Sequence, residues 1–501
     1  MNPTLRASTQ QQAEHNNHEQ MATYQKVGLV LAPVLAIIML VFSEQQSIMP
    51  SDAWKVAALA LWMAIWWATE AIPVPATAFM PLVLLPFLNI RPISEAASSY
   101  ANPIIYLFLG AFLLAIAIER WQLHKRIALN ILLLTGTNGV RLIAGFMVVT
   151  AILSMWMTNT STTMMLMPIA LSIAKVLVDN NPQLNVKQHS DFKKAMLLSI
   201  AFAATIGGMG TIIGTPPNAL LAAFMQENYQ MTITFATWMM VGVPLMCCML
   251  PLAWWVLTKL AFKVDMPSSP AAMRFLSEQK QSLGVMTTAE KRVALLFALV
   301  VLAWMLRKPA SSYLGLSNLS DAGIAMTAAL LLFVIPSGMP NSRSLLAWED
   351  VSKLPWGVLI LFGGGLSLAA AVSQSGLAQW LGYAISPIGS IGIFALIIAA
   401  TAMVIFLTEL TSNLATAATF LPVVAAVALE LDISPLILCI PVTLAASCAF
   451  MLPVATAPNA IVFSTGVMRI PDMAKAGVLL NLMGLVILSC IAIFLAPLVF
   501  T

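Results

Sequence analysis

Two short polar strings in this sequence have the residue types and spacing to do chemistry. MWMTNTSTTMMLMP places Asn159 nine residues before Pro168, and TELTSNLATAATFLP places Asn413 nine residues before Pro422. Amide and hydroxyl oxygens are hard, neutral ligands for a small cation. The same groups turned the other way donate hydrogen bonds to an oxyanion. A second pair of strings follows. GGMGTIIGTPPN ends at Asn218 and FMLPVATAPN ends at Asn459. Proline and glycine break a helix and free backbone carbonyls and amides there, which is tolerable at membrane depth only where the chain is buried or lines a cavity. Freed carbonyls suit a cation such as Na⁺, and helix N-termini beside them suit an anion.

The strings belong to a duplication. An offset of 254 residues pairs Asn159 with Asn413, Ser154 with Thr408, Thr162 with Thr416, Leu107-Phe108 with Leu361-Phe362, Gly110 with Gly364 and Ala115 with Ala369. Aligned at Asn218 and Asn459, Thr215 meets Thr456, Pro217 meets Pro458 and Gly214 meets Ala455. A lone TPPN is more often a kink than a site, but a kink need not recur with Asn and Thr in register. Gly207, Gly208, Gly210 and Gly214 imitate a dinucleotide fingerprint without the βαβ unit it requires. Gly363-Gly364-Gly365 reads as close helix packing. The main ionisable residues inside apolar stretches are Glu70 and Glu409, each either a proton or cation site or a hydrogen-bonded carboxyl.

The elements that must hold these residues are membrane helices. Of the 501 residues, 60% are hydrophobic and 9% charged, with a formal net charge of +4, which fits a polytopic membrane protein and no soluble domain. The five cysteines lie in apolar segments and imply no disulfide framework. The reading is an all-α polytopic protein with about 11 transmembrane helices, at about 27–43, 54–72, 76–90, 103–119, 195–225, 233–262, 293–306, 321–336, 355–373, 437–468 and 473–499. Residues 1–25 form a polar, disordered tail. The first half, 26–262, holds a re-entrant hairpin at 142–178 and a broken helix near 207–218. A cytoplasmic linker spans 263–292. The second half, 293–501, holds a hairpin at 390–430 and a broken helix near 453–459.

With the N-terminus in the cytoplasm, 19 Lys and Arg fall inside (Arg6, Lys26, Arg120, Lys125, Arg126, Arg141, Lys175, Lys187, Lys193, Lys194, Lys263, Arg274, Lys280, Lys291, Arg292, Arg343, Lys353, Arg469, Lys475) and 4 outside (Lys55, Arg91, Arg307, Lys308). That is a strong positive-inside bias. It places the C-terminus outside, and the two hairpins enter from opposite faces. Inverted repeats of this kind are the architecture of alternating-access carriers.

The paired tip motifs resemble the Ser-Asn-Thr motifs of the divalent anion/sodium symporter family. Ala446-Ser447, Phe450, Pro453-Val454-Ala455, Asn459 and Ile461-Val462 match that family's signature, and TEAIP at 69–73 and GTPPN at 214–218 are further family-like strings. The resemblance implies a homodimer of protomers with a scaffold and a transport domain, moving by an elevator mechanism. It implies one Na⁺ near Ser154, Thr158, Asn159 and Gly207, and a second near Thr408, Thr411, Asn413 and Ala455. It implies that substrate carboxylates are held by Asn159, Thr160, Ser412, Asn413 and Thr456. Leu414 departs from the motif, which has Thr there, and Leu414→Thr is expected to tighten a dicarboxylate. The expected function is Na⁺-coupled import of C4-dicarboxylates such as succinate, malate or fumarate across a bacterial inner membrane. Citrate, sulfate or another divalent oxyanion, or Na⁺-independent anion exchange, is the alternative. No catalytic cluster supports an enzyme, and no nucleic-acid partner is expected.

Overall fold

The structure, a computed structural model, describes residues 21–315, 318–340, 342–385 and 392–500. Most of the expected tail, residues 1–20, lies outside them, and helix α1 (Thr23–Val41) already begins at Thr23. The chain continues as α2 (Ser51–Thr69), α3 (Val74–Thr77), α4 (Met80–Phe87), α5 (Ile93–Ser98) and α6 (Pro103–Arg120). Then come α7 (Leu123–Thr135), α8 (Gly139–Ser154), α9 (Asn159–Asp179), α10 (Val186–Gly208), α11 (Pro216–Tyr229) and α12 (Phe235–Trp255). α13 (Pro270–Ser282) occupies the expected linker. The second half runs α14 (Thr288–Leu314), α15 (Asp321–Val334), α16 (Trp356–Gln374), α17 (Leu377–Ile385), α18 (Ile393–Thr408) and α19 (Asn413–Glu430). It ends with α20 (Leu436–Ser447), α21 (Ala457–Phe463), α22 (Ile470–Cys490) and α23 (Ala496–Phe500). Among the described residues the departure from an all-α fold is a small antiparallel ribbon, β1 (Pro336–Met339) with β2 (Ser342–Ser344).

Among the described residues, 8 helices are long and apolar enough to cross a membrane. Two of these, α9 and α19, are hairpin arms rather than expected spans. The expected spans 195–225 and 437–468 are each interrupted, as α10–α11 and α20–α21, by the proline and glycine strings. Both hairpins are present, α8–α9 and α18–α19. Between them lie α10–α11, α12, α14, α15 and α16; an odd number of crossings there, as the charge distribution leads one to expect, would bring the hairpins in from opposite faces.

The repeat is visible in the packing. Phe108 on α6 and Phe362 on α16, equivalents at the 254 offset, meet edge to face with centroids 4.9 Å apart. A Cβ at Gly110 would lie 2.6 Å from the Ala325 backbone of α15, while one at its equivalent, Gly364, would run into the Ala78 carbonyl between α3 and α4. Small residues at these places let helices approach to backbone contact, as membrane packing favours.

Two helices were not legible as spans. α7 and α17 are short and amphipathic, and their first residues, Leu123 and Leu377, are again 254 apart. They link α6 and α16 to the two hairpins. Arg126 on α7 donates from Nε and Nη2 to both oxygens of Glu290, and from Nη1 to the Gly284 carbonyl at 3.1 Å. Its register equivalent, Trp380 on α17, donates from Nε1 to the Ile48 carbonyl at 2.8 Å. At this one repeat position α7 is thus fastened to the first turn of α14 and the loop before it, and α17 to the loop between α1 and α2. Nearby, Arg120 pairs with Asp350 and donates to Ser342. Burial alone would raise the Asp350 carboxyl, but the Ala347 amide, Lys353 and Arg120 outweigh it and hold it below the usual carboxylate range.

Candidate cation and anion site

Each hairpin tip is made by a helix that stops and another that starts a few residues later. α8 ends at Ser154, and Thr158 caps α9 by accepting from the Ser161 amide at 3.2 Å. α18 ends at Thr408, and Ser412 stands at the cap position of α19 in the same extended conformation. The first-turn amides of α9 and α19 are therefore left without intrahelical partners at the tips.

Across each tip the two predicted residues meet. Ser154 donates its hydroxyl to Asn159 Oδ1 at 2.5 Å. Thr408 Oγ1 lies 3.0 Å from Asn413 Oδ1 and 2.7 Å from the Ala446 carbonyl oxygen of α20. The first tip faces Gly208, where a Cβ would sit 2.7 Å from Asn159 Oδ1 and 2.9 Å from the Gly214 carbonyl oxygen. Gly207, the glycine expected there, instead presses α10 onto the Ala151 backbone of α8. Each tip thus gathers several oxygens with few hydrogens to share between them, an arrangement that a cation would satisfy.

Asn218 and Asn459 fasten the broken loops. Asn218 Nδ2 donates to the Thr211 carbonyl at 2.8 Å, with Gly208 and Met209 at 3.3 and 3.4 Å. Asn459 Nδ2 donates to the Ala449 and Leu452 carbonyls, both at 3.0 Å. Gly208 and Ala449, and Thr211 and Leu452, are equivalents in the alignment that joins Asn218 to Asn459. The side-chain oxygens of both asparagines are buried without a hydrogen-bond partner among the described residues. A second layer repeats as well. Gly242 of α12 lies against the Met209 carbonyl and Gly477 of α22 against the Phe450 carbonyl, equivalent atoms of the two loops.

The two repeats interlock. α11 packs against α19, and α21 packs against α9. Thr456, which caps α21 by accepting from the Asn459 amide at 3.3 Å, therefore belongs to the helix beside the one bearing Asn159 and Thr160. Thr215, its equivalent at the cap position of α11, is buried, makes no capping bond of its own and belongs to the helix beside the one bearing Ser412 and Asn413. Thr215 was missing from the expected set although its pairing with Thr456 was readable. Thr160, Ser412 and Asn413 are half-buried, and Ala455 is buried in the turn before Thr456.

Two residues sit otherwise than expected. In register with Thr158 stands Ser412, not Thr411, and the Thr411 hydroxyl is engaged by Leu407 and Thr416, at 3.1 and 2.6 Å. Leu414 is 4% exposed and packs into the core rather than lining the tip. Glu70 ends α2 in a left-handed conformation and is exposed. Glu409 is 3% exposed and fully engaged by donors. Among the described residues no cluster of three or more His, Cys, Asp or Glu is placed to hold a metal ion.

Paired hairpin tips set against paired broken helices, in two interlocked repeats, define a helical membrane carrier. The chain belongs to the sodium:sulfate symporter family, whose profile, described as "Sodium:sulfate symporter transmembrane region", matches residues 24–501. It is 41% identical over 483 residues to the sodium-dependent dicarboxylate transporter SdcS of Staphylococcus saprophyticus, covering 94% of this chain and 92% of the relative. It is 41% identical over 481 residues to the protein of the same name from Staphylococcus aureus strain COL, covering 95% and 92%. The crystal structure of the Alcanivorax borkumensis YdaH transporter aligns with a TM-score of 0.55 and 15% identity, covering 88% of this chain and 99% of that one, a likeness of fold alone.

Proposed function

We propose that this protein is a transporter, not an enzyme: a Na⁺-coupled symporter that carries C4-dicarboxylates such as succinate, malate or fumarate. The observation that supports it most is the pair of oxygen clusters at the tips, Ser154–Asn159 facing Gly208 and Thr408–Asn413 facing Ala446. Each offers a Na⁺ neutral ligands only. The relatives named as sodium-dependent dicarboxylate transporters supply the substrate class.

Moving a dianion through an apolar membrane without compensating charge is prohibitive. Na⁺ ions at Ser154, Thr158, Asn159 and Gly208, and at Thr408, Asn413 and the loop carbonyls, bring that charge. The carboxylates then take amide and hydroxyl donors from Asn159, Thr160, Ser412, Asn413 and Thr456, together with the free amides at the tips. The anion binds well only after the cations, and that differential is the coupling. The protein works as a homodimer in a bacterial inner membrane, with the N-terminus inside and the C-terminus outside, as the 19-to-4 charge split supports. Transport follows an elevator movement of the hairpins and broken helices against α1–α6 and α14–α16.

The test is uptake into proteoliposomes under an imposed Na⁺ gradient, with succinate, citrate and sulfate as competitors. Concentrative succinate uptake that collapses without Na⁺ is expected. Equal uptake with K⁺ replacing Na⁺, or uptake only against internal anion, would overturn the reading.

A further inference from the structure

Glu409 is the fourth residue before Asn413, just past the end of α18, and the site described above makes no use of it. Its carboxylate is 3% exposed. Oε1 accepts from the Phe450 amide at 2.8 Å, the Met451 amide at 2.9 Å and Asn481 Nδ2 at 2.7 Å, and Oε2 accepts from the Met451 and Leu452 amides at 3.1 and 3.0 Å. Three successive loop amides and a buried amide from α22 thus close on one side chain. No salt bridge joins it to a basic group among the described residues.

The first repeat makes the same joint with different chemistry. The residue equivalent to Glu409 is Met155, and the residue equivalent to Leu452 is Thr211. There the loop reaches the hairpin: Thr211 donates its hydroxyl to the Met155 carbonyl at 2.5 Å and accepts from the Gly214 amide at 3.0 Å. In the second repeat the hairpin reaches the loop. A joint kept at one place by two unrelated devices answers to a common need, the fixed distance between hairpin tip and broken loop.

We propose that Glu409 is a positioning residue for the second cation site, in the place Thr211 has at the first. It ties the loop 450–452 to the tip, so that the Thr408 and Asn413 oxygens and the Ala446 carbonyl stand together before Na⁺ arrives. Its carboxyl stands one residue from Thr408, where the first repeat has the apolar Met155. The proposal rests on the Na⁺-coupled reading above.

The experiment is a Na⁺ titration of succinate uptake in proteoliposomes for the wild type, Glu409→Gln, Asn481→Ala and Thr211→Val. Glu409→Gln keeps the shape but removes part of the accepting capacity. The half-saturating Na⁺ concentration is expected to rise at least about tenfold, while the maximal rate at saturating Na⁺ recovers to within about half of wild type. Asn481→Ala, which removes a single donor, shifts it the same way by less, and stands in if Glu409→Gln fails to fold. Thr211→Val cuts the equivalent joint at the first site and is expected to raise the half-saturating Na⁺ concentration in the same way. An unshifted Na⁺ dependence in Glu409→Gln, or a rate that falls equally at every Na⁺ concentration, would overturn the proposal while leaving the symporter reading intact. A wild type indifferent to Na⁺ would overturn both.

Discussion

Replacing the loop staples should weaken Na⁺ in a graded way. Asn459→Ala removes two hydrogen bonds of 3.0 Å and leaves the carbonyls of buried Ala449 and half-buried Leu452 without the amide that held them. At about 1 kcal/mol net each, loop closure loses about 2 kcal/mol. If the closed loop is the cation-competent form, this corresponds to up to about a thirtyfold rise in half-saturating Na⁺. Asn218→Ala should cost less. Its one short bond goes to Thr211, the others are 3.3 and 3.4 Å, and the Met209 carbonyl keeps the Trp238 indole donor at 3.1 Å. About 1 kcal/mol, or roughly fivefold, is expected. The assay is succinate uptake against Na⁺ in proteoliposomes, with size-exclusion profiles to show that each variant is folded. The reasoning fails if both folded variants titrate like wild type, or if Asn218→Ala is the more damaging.

Asn159→Ala and Asn413→Ala should each abolish concentrative uptake while remaining monodisperse; normal Na⁺ titrations in both would refute the paired sites. Gly208→Ala places a methyl 2.7 Å from Asn159 Oδ1 and should raise half-saturating Na⁺ by more than about tenfold, read in the same uptake assay. Leu414→Thr should leave succinate affinity unchanged and lower stability by about 1–2 kcal/mol, because the side chain is in the core; thermal unfolding in detergent and succinate titration check this, and tighter succinate would contradict it. Cysteines introduced at Val285, in the loop before α14, and Tyr313, near its end, 88% and 89% exposed, should be labelled from the cytoplasm and from outside respectively; labelling of both from one side refutes the orientation.

The sequence showed the site's skeleton because the chemistry there conflicts with the membrane. Asn159 and Asn413 interrupt apolar runs, and the glycines and prolines before Asn218 and Asn459 break helices that could otherwise span, so these positions stand out from composition alone. The 254 offset then made the hairpins legible to within a few residues. α7 and α17 were hidden because a short amphipathic helix lying off the spanning direction has neither the length nor the apolarity that marks a span. The choice of Gly208 over Gly207 depends on which face of α10 meets the tip, a rotation of one residue that spacing does not fix. The 254 offset pairs Thr158 with Ser412 rather than with its neighbour Thr411. The partners of Glu409 come from residues 41 or more positions away in the chain, and no local pattern announces them.

Arg126 and Trp380 show that duplication preserved where a load is carried but not how much it can bear. Arg126 grips a carboxylate with two nitrogens and a carbonyl with a third, and Glu290 is 3% exposed, so salt screens that grip little. Trp380 holds by a single neutral hydrogen bond at an exposed position, worth about 1 kcal/mol. The two couplings therefore yield at different thresholds. Under the same thermal agitation the connecting helix of the second repeat is held at this position by the softer of the two fastenings.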